Sequence, residues 1–171
     1  MERSYGEKTD QAAVVFTPNV VKAAPVIWDK EVVEHSPFVQ AVVVNAGIAN
    51  AGTGPLGYEN CKITATSVAQ ELNIPPNAVL VASTGVIGMQ LPVERLVAGA
   101  KLAATQLKDN TGAGDLAATA IMTTDTVSKQ VAVTIAIDGK PVTIRGMCKG
   151  SGMIHPTMGT MLGFITTDAV R

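Results

Sequence analysis

A chain of 171 residues with 47% hydrophobic and 16% charged residues can bury a sizeable core, and an aromatic content of 4% makes that core aliphatic. The formal net charge of −1, with acid and base mixed along the chain, leaves no basic stripe for a phosphate backbone, so nucleic acid is not an expected partner. Two cysteines make no disulfide framework, the opening MERSYGEKTDQ is no secretory signal, and no apolar run approaches the roughly 18 residues that span a bilayer, so a soluble cytoplasmic domain without a membrane partner is expected.

The β-branched apolar runs AAVVFT (12–17) and FVQAVVVNA (38–46) predict strands buried on both faces. From Gly57 to Asn73, the residues Tyr58, Cys61, Ala65, Val68, Ala69 and Leu72 recur at helical spacing, and Pro75-Pro76 ends the element. AVLVAS (78–83) predicts another buried strand. A second helix is expected from Pro92, with Leu96, Ala100, Ala103 and Leu107 on one face and the proline near its first turn. DNTGAGD (109–115) reads as a turn-rich loop and LAATAIM (116–122) as a short helix. QVAVTIAI and PVTIRGM flank Asp138-Gly139, a hairpin signal, and TMLGFITTDA (160–169) resumes strand character. The order predicts an α/β fold with a mixed sheet packed with helices.

Four polar loops are candidate sites: 45–54, 83–88 and 149–162, which bear glycine, and 123–126, which does not. In Ser83-Thr84-Gly85 a hydroxyl beside a glycine amide supplies two donors able to converge on a developing oxyanion. An ordinary capped turn explains the same residues. Asp125, set among Thr123, Thr124 and Thr126, reads either as a turn satisfied by its own side chains or as a contact to a substrate carboxylate or amide.

The stretch KGSGMIHPTMGTML (149–162) admits three readings. It fits a surface turn. It fits a phosphate cradle poorly, because no Gly-Lys-Ser/Thr order follows a strand and opens a helix. It also fits a self-cleaving bond, in which the Thr160 hydroxyl attacks the carbonyl of small, yielding Gly159 and leaves a threonine whose own α-amino group is its base. His35 and His155 lack partners at helical spacing, so no metal site is expected. Cys61 reads as core, Cys148 beside Lys149 as structural, and Met147, Met153, Met158 and Met161 as packing residues.

VKAAPV, LNIPPNAVLVASTGVIG, AIMTTDT and KGSGMIHPTMGTMLGFITTDA occur in this order over nearly the whole chain. Together they resemble the ornithine acetyltransferase family, the bifunctional glutamate N-acetyltransferases of the cyclic arginine pathway. The resemblance implies the N-terminal half of a self-cleaving α/β fold, with an α-chain-like region at 1–159 and the first strand of the β chain at 160–171. It implies autoproteolysis at Gly159-Thr160, Thr160 as nucleophile, and Thr84 with Gly85 as the oxyanion hole. Thr123, Lys149 and Thr160 become substrate-binding positions. The implied reaction is ping-pong transfer of acetyl from N-acetylornithine to glutamate through an acetyl-threonine ester. No cofactor or metal is implied, and acetyl-CoA enters only as a possible substrate. The implied partner is the β chain of the same precursor, in an α2β2 assembly.

Three features depart from the family pattern. Gly159 stands where the family usually has alanine, the 45–52 loop has Ala46, Ile48 and Gly52 in place of polar or thiol groups, and the N-terminus is short. Two alternatives stand beside the acetyltransferase: a self-processing N-terminal-threonine amidohydrolase or aminopeptidase, and an inactive structural half that needs a partner chain.

Overall fold

The chain, described by a computed structural model over residues 11–36, 38–150 and 161–169, divides between Lys108 and Asp109 into two units. In the first, β1 (Ala41–Ile48) and β2 (Val79–Val86) run parallel, in register from Ala41 opposite Val79 to Ile48 opposite Val86. Parallel strands need a crossover, and α2 (Gly54–Leu72) supplies it. Asn73, at φ 54°, stops α2 in the left-handed conformation, and Pro75 and Pro76 forbid its resumption. The predicted face is the buried one: Cys61, Ala65, Val68 and Ala69 pack in one core with Val79, Leu80 and Val81.

A helix absent from the sequence reading, α1 (Ala24–His35), completes this core with Trp28 and Val32. It also covers the outer edge of β2 at Val79 and Val81. Trp28 Nε1 donates to the Val79 carbonyl at 3.0 Å, and Asp29 Oδ1 accepts the Val81 N–H at 2.8 Å. Two neighbouring side chains of a helix thus satisfy backbone groups that another strand would otherwise have to pair.

The expected strand at 12–17 does not form; Val14 packs against the core, but Val15 is 81% exposed. A β-branched run favours extended backbone but supplies no partner strand. β1 is mostly half-buried, with Val42 exposed, so its expected burial on both faces also fails within this unit. α3 (Val93–Thr105) starts as predicted, with Pro92 at its N-cap rather than in its first turn. Of its predicted apolar face only Ala100 is buried, and Leu107 is exposed.

In the second unit α4 (Thr111–Ala120) runs through most of the predicted loop 109–115. The Asn110 side chain accepts the Ala113 N–H at 2.9 Å, an N-cap that lets Gly112 and Gly114 enter the helix. β3 (Lys129–Ile137), β4 (Lys140–Lys149) and β5 (Leu162–Thr167) form an antiparallel sheet in that order. Asp138 at φ 51° and Gly139 at φ 75° make the two-residue turn that the sequence predicts. The α/β class holds, with parallel and antiparallel strands in separate sheets. The expected division at 159/160 lies outside the described residues.

Candidate active site

Thr84 and Gly85 lie at the C-terminal end of β2, the end of a parallel strand where ligand sites are commonly built. β2 continues to Val86, so Ser83-Thr84-Gly85 is strand and not the capped turn that spacing also allowed. Thr84 is 2% exposed, and its Oγ1, like Ser83 Oγ, is buried with no hydrogen-bond partner among the described residues. A buried orphan hydroxyl is costly, and it calls for a role beyond packing.

The backbone beside it is equally specialised. Ala78 O accepts from Gln40 N and Val86 O from Ala49 N, both at 2.8 Å, so even-numbered residues of β2 turn their peptide groups toward β1. By strand alternation the Gly85 N–H points away from β1, to the edge where Val81 N–H is taken by Asp29. The β1–β2 ladder therefore leaves the Gly85 amide unused. Gly85 has φ +127°, and a Cβ there would meet the Gly47 carbonyl carbon at 2.3 Å. Glycine is required at this point of the strand.

The loop after β1 is consumed by structure. Asn50 is fully buried at φ 49°; its Nδ2 donates to Gly57 O at 2.9 Å and to Cys61 Sγ at 3.2 Å, and its Oδ1 accepts from Thr53 Oγ1 at 2.8 Å. Burial pushes the Cys61 thiol up to about 12, against the Asn50 hydrogen bond, which keeps it a core residue as expected. A groove of about 820 Å³ lies between β1 and α3, lined by Leu96, Ala100, Ala103 and Leu107 but not by Thr84 or Gly85. The apolar face predicted for α3 therefore lines that groove.

The second unit brings Thr123 and Lys149 into one network. Thr123 lies in the exposed turn after α4, and Lys149, the last residue of β4, is 3% exposed. Lys149 Nζ donates to Gly150 O at 2.8 Å. Asp125 Oδ1 accepts the Gly150 N–H at 2.8 Å and a hydrogen bond from the Lys129 ammonium. Lys129, then Gly150, hold the Asp125 carboxyl down at about 2, with a smaller contribution from the Thr123 amide. Asp125 is thus held both by Thr123 and Lys129 in its own segment and by Gly150 just past the end of β4. Its bond to Gly150 was not legible from the sequence, because it joins residues separated by a whole hairpin.

Gly159, Thr160, His155, Met153 and Met158 lie outside the described residues. His35 Nδ1 bonds the Glu31 carbonyl at 2.8 Å, and Cys148 is a half-buried free thiol. No group of three His, Cys, Asp or Glu side chains able to hold a metal occurs among the described residues.

Comparison with known proteins matches residues 4–170 to the ArgJ family. The chain is 51% identical over 167 residues to the arginine biosynthesis bifunctional protein ArgJ of Thermotoga neapolitana, covering 96% of this chain and 41% of that protein. It is 47% identical to the chloroplastic ArgJ protein of Oryza sativa subsp. indica, covering 98% of this chain and 38% of that one. The chain thus spans about two fifths of the length of these relatives. Among solved structures, the ornithine acetyltransferase of Mycobacterium tuberculosis complexed with ornithine superposes with a TM-score of 0.80 at 42% identity, covering 88% of this chain and 78% of that chain. The ArgJ structure from Bacillus halodurans gives 0.80 at 39% identity, with 91% and 79% covered. On this match of sequence and fold, the chain belongs to the ArgJ family.

Proposed function

We propose that this chain supplies the oxyanion donors, two substrate-binding residues and the nucleophile of a self-processed acetyltransferase in arginine biosynthesis. Supporting this are its family, the likeness to an ornithine acetyltransferase bound to ornithine, and above all the Thr84 hydroxyl, buried with no partner among the described residues, beside the Gly85 amide.

In the proposed maturation Thr160 Oγ attacks the Gly159 carbonyl carbon, the Gly159–Thr160 C–N bond breaks, and the hydroxyl proton passes to the departing nitrogen. Water hydrolyses the resulting ester, leaving a Gly159 carboxylate and a free Thr160 amine. That amine then takes the Thr160 hydroxyl proton as Oγ attacks the acetyl carbonyl of N-acetylornithine. The amide C–N bond breaks, ornithine departs with the proton, and acetyl remains as an ester on Thr160. The α-amino group of glutamate attacks that ester and leaves as N-acetylglutamate, returning the proton to Thr160. Both tetrahedral oxyanions accept from Thr84 Oγ1 and the Gly85 N–H. Lys149 holds a substrate carboxylate and Thr123 contacts the substrate nearby.

The reading needs no cofactor, and acetyl-CoA would enter as a substrate. The partner is the remainder of the same precursor, as the β chain of an α2β2 assembly. The compartment is the cytoplasm; no helix among the described residues is long and apolar enough to cross a membrane, and the rice relative is designated chloroplastic. The test is double-substrate kinetics of the full-length precursor, this chain joined to the remainder its relatives carry. Ping-pong transfer from N-acetylornithine to glutamate is expected. Acetate release that is indifferent to glutamate would instead establish the amidohydrolase.

A further inference from the structure

Asp125 joins the turn that carries Thr123 to the strand end that carries Lys149, and we infer that it is the positioning residue for the Lys149 ammonium. The Asp125 side chain is 3% exposed, yet it belongs to a turn whose neighbours Thr123, Thr124 and Thr126 are exposed. Oδ1 takes the N–H of Gly150 at 2.8 Å, while the carbonyl of that same Gly150 takes Lys149 Nζ at 2.8 Å. Asp125 therefore holds the residue that holds the ammonium. A lysine on its four-carbon stem binds a carboxylate productively only when something fixes its position.

A second observation supports the link. A Cβ on Gly150 would lie 2.9 Å from Asp125 Oδ1, so a larger residue would push the carboxylate back from its 2.8 Å bond. The glycine after Lys149, which the sequence presents as a loop residue, thus lets this contact be short. Asp125 Oδ2 stays buried without a partner among the described residues, so the carboxylate's ties run through Oδ1. The positioning role stands on geometry alone; its consequence for KM rests on the acetyl-transfer reading, in which Lys149 binds substrate.

The test compares D125A, D125N and G150A with wild type in the full-length precursor. Two readouts are taken: the rate at which a small amine-directed acylating reagent labels Lys149, mapped by peptide mass, and the KM and kcat for acetyl transfer. D125A and G150A are expected to speed Lys149 labelling and raise KM by about 10-fold or more, with labelling of the exposed lysines other than Lys129, itself a partner of Asp125, unchanged and kcat less affected than KM. D125N keeps the Oδ1 acceptor and is expected to recover most of both losses. Lys149 labelling at the wild-type rate in D125A and G150A would overturn the inference, and so would equal defects in D125A and D125N. Expected labelling in a wild-type precursor that transfers no acetyl group would contradict the acetyl-transfer reading and leave the positioning of Lys149 upheld.

Discussion

Gly85 and Gly47 meet across the β1–β2 ladder so closely that a Cβ on Gly85 would lie 2.2 Å from the Gly47 carbonyl oxygen. The contact is backbone against side chain, so no rotamer change relieves it. Gly85→Ala is expected to destabilise the protein by about 3 kcal/mol or more, combining overpacking with a left-handed φ. At Gly47 the φ is similar but no described residue lies within 4 Å, so Gly47→Ala should cost only about 1–2 kcal/mol. Urea unfolding of both variants measures the difference; equal losses would show that conformation, not contact, selects glycine at 85.

Thr84 separates function from stability. Its hydroxyl is buried and has no partner among the described residues, so Thr84→Val, which replaces it with a methyl group of similar size, should leave stability unchanged or raise it by about 1 kcal/mol. Loss of one oxyanion donor should still slow acetyl transfer by ~10²–10³. Denaturation and steady-state kinetics on the same variant check both expectations, and a large stability loss with unaltered kcat would make Thr84 a packing residue.

Asp29 should make stability depend on pH. Burial raises its carboxyl to about 7, against the hydrogen bond from Val81 N–H that lowers it. Because the folded value lies above the unfolded 3.8, the folded state holds the proton more tightly. This contribution is fully present below pH 3.8 and is lost as pH rises through about 7. Asp29→Asn keeps an acceptor for Val81 N–H and removes the ionisation. The variant should match wild type near pH 4 and exceed it at pH 8, by up to about 4 kcal/mol. Parallel stability curves over this range would contradict the assignment.

Much of the fold was legible where local chemistry and tertiary packing agree. α2, with its apolar face and terminal prolines, and the Asp138-Gly139 hairpin are of this kind. α1 carried a readable signal, Pro25 at its start and Ala24, Trp28 and Val32 four residues apart, but its charged residues diluted the pattern. The Asn110 cap outweighed two glycines that suggested a loop. At the site, residue types offered Thr84 and Gly85 as candidate donors, but not the strand alternation that leaves the Gly85 amide out of the β1–β2 ladder. The tie between Asp125 and Gly150 depends on strand register, which no local pattern encodes.

Thr160 must cut the chain before it can serve as a nucleophile with a free amine, and intact-mass measurement of the full-length precursor and its Thr160→Ala variant reads this out. Two chains are expected from the wild type, the second beginning at Thr160, and one uncut chain without acetyl transfer from the variant. A single active chain from the wild type, or two chains from Thr160→Ala, would contradict that order.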